Sequence, residues 1–183
     1  METGIKEIEN SYSGRGWQGV NYKDNLSVKD IAKIIRHELK QKYKNAKFSI
    51  TTDGNYLASN IDITLVADNK TPYNDIETIK NSEGFKKYVE YWNMTDKEIE
   101  TEIEHIDSEI TKFDRTHNIN QYHIDSDYLL NDYAKEMFSY IVDLCNSFNY
   151  NDSDSQVDYY DVGFYMDLRI GKYDKHFTLV EGK

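Results

Sequence analysis

Two histidines beside an arginine are the residues in this 183-residue chain most able to do chemistry. His117 and His123 fall near Asp114, Arg115, Asp125 and Asp127 in a polar stretch that reads as a loop. Paired imidazoles with a nearby cation suit metal-independent RNA cleavage, one ring acting as base and the other as acid. His with Asp could instead bind a metal. Neither spacing is diagnostic, and solvated loop histidines are the ordinary alternative, so no catalytic residue is secure. Gly14-Arg15-Gly16-Trp17-Gln18-Gly19 carries the letters of a dinucleotide-binding turn, but no strand precedes it and no helix starts inside it. An arm presenting Arg15 and Trp17 to a base or pocket fits this stretch, and so does a turn anchored by Trp17. The chain has no phosphate-binding loop, zinc motif or Ser/Cys triad signature, and no metal or cofactor is expected.

Charge is the stronger signal. The net formal charge is −11, yet residues 1–50 hold ten Lys/Arg against six Asp/Glu, while residues 51–183 hold twelve against twenty-seven. Lys29, Lys33, Arg36 and Lys40 recur at steps of four, three and four, so one helix face carries a basic stripe that could follow a phosphate backbone. Residues 96–109 hold Asp96, Glu98, Glu100, Glu102, Glu104, Asp107 and Glu109 around one Lys. Carboxylates in a row on a rigid helix can imitate phosphates and enter a basic nucleic-acid groove. Asp152, Asp154, Asp158 and Asp161, beside Tyr159 and Tyr160, form a second acidic patch. For each stripe the plain alternative is the solvated face that an amphipathic helix needs in any case.

The elements that must position these residues follow from periodicity. Residues 1–26 read as an irregular N-terminal arm. Ser27 caps a helix running to about Tyr43, with Val28, Ile31, Ala32, Ile35 and Leu39 on its apolar face. Strands through Phe48/Ile50 and through Ile61/Ile63/Leu65 flank an Asp53-Gly54-Asn55 turn. A helical region follows Pro72 and breaks near Gly84, so residues 27–92 form an α-β-β-α unit. Residues 93–183 supply a helical segment and a second α-β-β unit. Thr95 to Glu98 is a capping box. Behind it Ile99, Ile103, Ile106, Ile110 and Phe113 make a seam that packs on the domain or on a second copy, so a monomer or weak homodimer is expected. Asp125-Ser126 reads as the cap of the most hydrophobic helix, with strands over 157–170 and 176–180 closing a final hairpin. The whole is a single compact α+β domain built from two helix–β-hairpin units with additional helices. With 38% hydrophobic and 14% aromatic residues there is enough apolar surface for a core. A single Cys leaves no intramolecular disulfide. No apolar run approaches a membrane span, so a cytoplasmic protein is expected.

The segment 27–72 resembles the large polyvalent protein-associated domains, modules carried on phage, plasmid and conjugative-element proteins. The likeness rests on the amphipathic helix with Ile35-Arg36 and Leu39-Lys40, the Lys47-Phe48-Ser49 strand start, the small-residue turn into Ile61-Asp62-Ile63, and the acidic turn leading to Pro72. It covers the first quarter of the chain in detail and the rest in element order. The resemblance implies a setting on mobile elements, whose proteins blunt host defences in the bacterial cytoplasm, and it brings no catalytic residues. In size and charge the chain is similar to stand-alone type II anti-CRISPR proteins and to antirestriction DNA mimics. The expected partners are therefore a bacterial RNA-guided nuclease and its guide RNA, with occlusion, guide-RNA truncation and a conjugation accessory role as alternative modes.

Overall fold

The apolar periodicities resolve into helices and strands around one core in a computed structural model that describes residues 2–9, 11–54 and 59–181. The N-terminal stretch contains two short strands, β1 (Ile5–Glu7) and β2 (Trp17–Gly19), instead of being irregular throughout. Then come α1 (Val28–Lys42), β3 (Lys47–Gly54), β4 (Ser59–Asp68), α2 (Ile76–Asn81), α3 (Glu83–Trp92), α4 (Asp96–Lys112), β5 (His117–Ile119), α5 (Asp132–Asn146), β6 (Tyr150–Asn151), β7 (Tyr165–Ile170) and β8 (Thr178–Leu179). The fold is α+β in a single compact domain. Of the expected Asp53-Gly54-Asn55 turn, Asn55 lies outside the described residues.

A five-stranded mixed sheet holds the order β3-β4-β7-β5, with β8 also on β4. Strand β4 is its spine. It pairs antiparallel with β3 and parallel with β7 over Asn60–Leu65, so Ile61, Ile63 and Leu65 are buried under helices. Helix α1 lies on β3 and β4 through Ile31, Ile35 and Leu39, and α5 fills the centre with Met137, Phe138, Ile141, Leu144 and Cys145. Each fully buried side chain of this size contributes about 1.5–3 kcal/mol. Burial also pushes the Cys145 thiol up to about 12, which leaves it inert as a nucleophile.

Two expectations give way to long-range contacts. The last two strands do not form a hairpin, because β7 and β8 both run parallel to β4. Gly171, at φ 69°, lets the chain loop out through the Lys172–Lys175 bridge and resume its direction beyond Phe177. Helix α5 starts at Asp132 and not after Asp125-Ser126. Its cap is Asn131, whose side chain accepts from Ala134 N while its amide donates to Thr71 and Tyr73 carbonyls. Leu129 and Leu130 are buried just before it, Leu130 bridging Tyr73.

The isoleucine seam of α4 faces inward. Ile106 and Ile110 are buried, and Ile99, Ile103 and Phe113 pack against the same core. A second, three-stranded sheet, β1-β2-β6, forms a small lobe beside the end of α5. There Gly19 sits against the Ser147 carbonyl, where any side chain would collide with backbone.

Candidate functional site

The basic stripe of α1 exists as expected, with Lys29, Lys33, Arg36 and Lys40 all exposed. At about 100° per residue they fall within roughly a 60° sector of the helix. Part of the stripe is committed to the fold: Lys33 Nζ donates to Asp30 at 2.8 Å, and Arg36 Nη2 donates to the Ile50 carbonyl at 2.7 Å. Lys29 and Lys40 have no side-chain partner among the described residues.

The carboxylates of α4 divide into two sets, one on each side of the buried isoleucines. Glu98, Glu102 and Glu109 lie on one flank and all are engaged. Glu98 closes the capping box, taking the Thr95 N–H at 2.8 Å, and those bonds hold its carboxyl below the usual range. Glu102 accepts from Tyr88 Oη at 3.3 Å, and Glu109 accepts from Arg115 Nη1 at 2.5 Å. Asp96, Glu100, Glu104 and Asp107 occupy the other flank. These four are exposed, and among the described residues none has a side-chain hydrogen bond or ion pair.

Arg115, His117 and His123 do come together, around an open cavity of about 460 Å³ shared with Asn118, Asn120, Asp127 and Tyr128. His117 differs from the expected loop histidine, since it is in strand β5 and only 8% exposed. Its Nε2 lies 3.0 Å from Asp127 Oδ2, and the ring stacks on Tyr73 at 5.9 Å. A carboxylate only accepts, so Nε2 carries a hydrogen in this contact, and the other ring nitrogen is Nδ1. That Nδ1 is buried without a hydrogen-bond partner among the described residues. Neither nitrogen is open to a substrate in this arrangement, and the Arg115 charge is already met by Glu109. His123 is exposed in the turn that follows. Among the described residues no cluster of three His, Cys, Asp or Glu could hold a metal.

The N-terminal residues and the acidic Tyr/Asp loop, separate in sequence, form one structure. Asp152 accepts hydrogen bonds from Ser11 Oγ, Tyr12 N, Ser13 N and Ser13 Oγ at 2.5–3.0 Å. The hydroxyls of Ser11 and Ser13 lead in holding its carboxyl far below the ordinary value. Trp17 is half-buried in β2, paired with Glu7 and Asn151, which places it in a sheet and not on a free arm. Arg15 is exposed and lines a recess of about 240 Å³ with Ser13, Asp154 and Gln156. Asp161 accepts from Tyr150 Oη and Tyr159 Oη, whereas Asp158, at φ 54°, has no side-chain partner among the described residues. Sequence reasoning missed Tyr12 and the clamp by Asp152. Their partners are 139–141 residues apart, and no local pattern marks such a contact.

Fold and surface together define a small α+β module with a helix-covered mixed sheet and two exposed charged helix faces, one of them partly paired. A family model, the large polyvalent protein associated domain 29, matches residues 26–129, more than half of the chain, and the protein belongs to that family. Membership associates the protein with mobile elements. The match spans α1 to the cavity wall at Leu129 and excludes the three-stranded lobe. No curated protein and no solved structure matches the chain. Among the described residues no helix is long and apolar enough to cross a membrane.

Proposed function

We propose that the protein is a mobile-element counter-defence factor, an anti-CRISPR inhibitor that occludes a type II RNA-guided nuclease in the bacterial cytoplasm by binding the effector. The observation that carries this reading is the row Asp96, Glu100, Glu104 and Asp107, unpaired among the described residues on a 17-residue helix. Over eleven steps of about 1.5 Å each, the four charges sit about 5.5 Å apart on average, sparser than the roughly 3.4 Å spacing along one strand of B-DNA. Such a row suits a protein groove shaped for one backbone. Lys29 and Lys40, the free ends of the α1 stripe, would meet guide RNA at the groove edge.

The test is inhibition of target-DNA cleavage by a panel of purified type II effectors, with the native protein and with E100K/E104K. Native inhibition that falls at least about tenfold in the variant supports the reading, a loss in the range of paired charges at an interface. Inhibition that survives the reversal removes α4 from the mechanism, and no inhibition of any effector removes the class. A second reading, truncation of guide RNA, draws on the gathering of Arg115, His117 and His123 around one cavity. Incubation with guide-loaded effector and a denaturing gel decides it: fragments that vanish in H123A favour cleavage, and intact RNA ends that reading.

A further inference from the structure

The segments 11–16 and 151–162 lie outside the family match, yet together they build an exposed aromatic face. Tyr12 is 70% exposed, Tyr160 63% and Val157 60%, and the Tyr12 and Tyr159 rings pack at 4.6 Å. Large apolar groups left in water at one place mark interaction surfaces. The loops themselves are rich in Tyr, Ser, Gly, Asn and Asp. Binding loops of antibodies use the same mixture, because Tyr offers a wide amphipathic surface at little cost in rotamer entropy.

This face is held in shape before any partner arrives. Asp152 ties segment 11–16 to segment 151–162 through four hydrogen bonds. Asp154 and Tyr159 exchange backbone hydrogen bonds at 2.8 and 3.0 Å, and the Asp154 carboxylate caps Gln156 N. Pre-ordered loops lose little entropy on binding. Their charge is one-sided: among the described residues Asp152, Asp154, Asp158 and Asp161 have no ion-pair partner, and the recess beside Asp154 holds one cation, Arg15. Phosphate would be repelled here. A guanidinium fits both halves of the surface, since it stacks on a tyrosine ring and forks onto a carboxylate, as an ammonium does less well.

We infer that the face formed by Tyr12, Val157, Asp158, Tyr159 and Tyr160 is a protein-docking surface for an arginine-bearing basic segment of a partner. It is independent of the α4 row, so the two can fail separately. The test titrates the ¹⁵N-labelled full chain with a short oligo-arginine peptide, an oligo-lysine peptide of equal length, and a uridine oligonucleotide. Saturable amide shifts at residues 11–16 and 152–162 are expected with arginine, with affinity above lysine by roughly threefold or more. Tyr12→Ala and Tyr160→Ala should each weaken arginine binding by roughly threefold, leaving amides outside the lobe unmoved. The E100K/E104K variant should bind the peptide as the native chain does. Equal binding of arginine and lysine, indifference to both tyrosine variants, shifts gathered on α4, or preference for the oligonucleotide would each overturn the inference.

Discussion

Helices α1 and α4 each lay a charged row beside a buried one, with opposite signs and similar spacing, yet they leave different things outside. On α1 the middle of the stripe is engaged within the fold, Lys33 with Asp30 and Arg36 with the Ile50 carbonyl, and among the described residues only the ends are free. On α4 the fold takes one flank entire, through Glu98, Glu102 and Glu109, and leaves the other untouched. A count of charges on a helix is therefore not a count of charges available to a partner. What remains after capping and intramolecular pairing is the functional surface, and by that measure α4 offers a longer continuous row than α1.

Truncating the buried rows breaks the comparison most severely. Leu39→Ala on α1 and Ile106→Ala on α4, at fully buried positions, should each cost about 2–5 kcal/mol in urea denaturation. If Ile106→Ala were neutral for stability but lowered an associated mass in light scattering, α4 would be an assembly seam and not a core helix. The caps come next. Thr95→Ala removes one half of a reciprocal capping box and should cost about 1 kcal/mol, while Ser27→Ala, which removes the simpler cap of α1, should cost roughly 0.5 kcal/mol. A larger loss at Ser27 than at Thr95 would reverse the ranking of the two termini.

Both helices were legible in the sequence to within a residue or two, because their caps and their apolar periodicity are local and agree. The same holds for β3 and β4 and for the family resemblance that rests on them. What escaped depends on contacts between distant residues. Asp125-Ser126 has the form of a cap, but Asn131 also satisfies the Thr71 and Tyr73 carbonyls, and those are not neighbours in sequence. His117 looks like a loop residue until Asp127 and Tyr73 close over it. The terminal hairpin fails because β4 offers a better edge to both β7 and β8 than they offer each other. Of the candidate site, the residue types of both stripes were visible, and which carboxylates remain unpaired was not.

The first-turn carboxylates separate the helices by salt and pH. Asp30 is held below its ordinary value first by its bond from Lys33, then by Ser27, whereas Glu98 is held down by the Thr95 backbone and hydroxyl. A depressed folded-state pKa stabilises above the unfolded value, near 4 for both groups, and that contribution fades as pH falls through the folded pKa. Carbon-detected NMR titration should show Asp30 moving back toward its ordinary value in molar salt and in Lys33→Met, with Glu98 unmoved by Lys33→Met. A shift of Glu98 in that variant would mean the two termini are coupled.

The smallest expected effect is the one that defines the free flank. Glu100→Gln and Glu104→Gln remove charges that the fold does not use, so each should change stability by no more than about 0.5 kcal/mol. Glu109→Gln, on the opposite flank, strips the carboxylate from Arg115 and should cost roughly 1 kcal/mol or more. Relief of like-charge repulsion along Asp96, Glu100, Glu104 and Asp107 can even make the first pair slightly stabilising. A residue that can be neutralised at no cost to the fold has no structural reason to be acidic. If Glu100→Gln and Glu109→Gln proved equally destabilising in the same denaturation series, the two flanks would be one, and the free row on α4 would cease to be evidence for a partner.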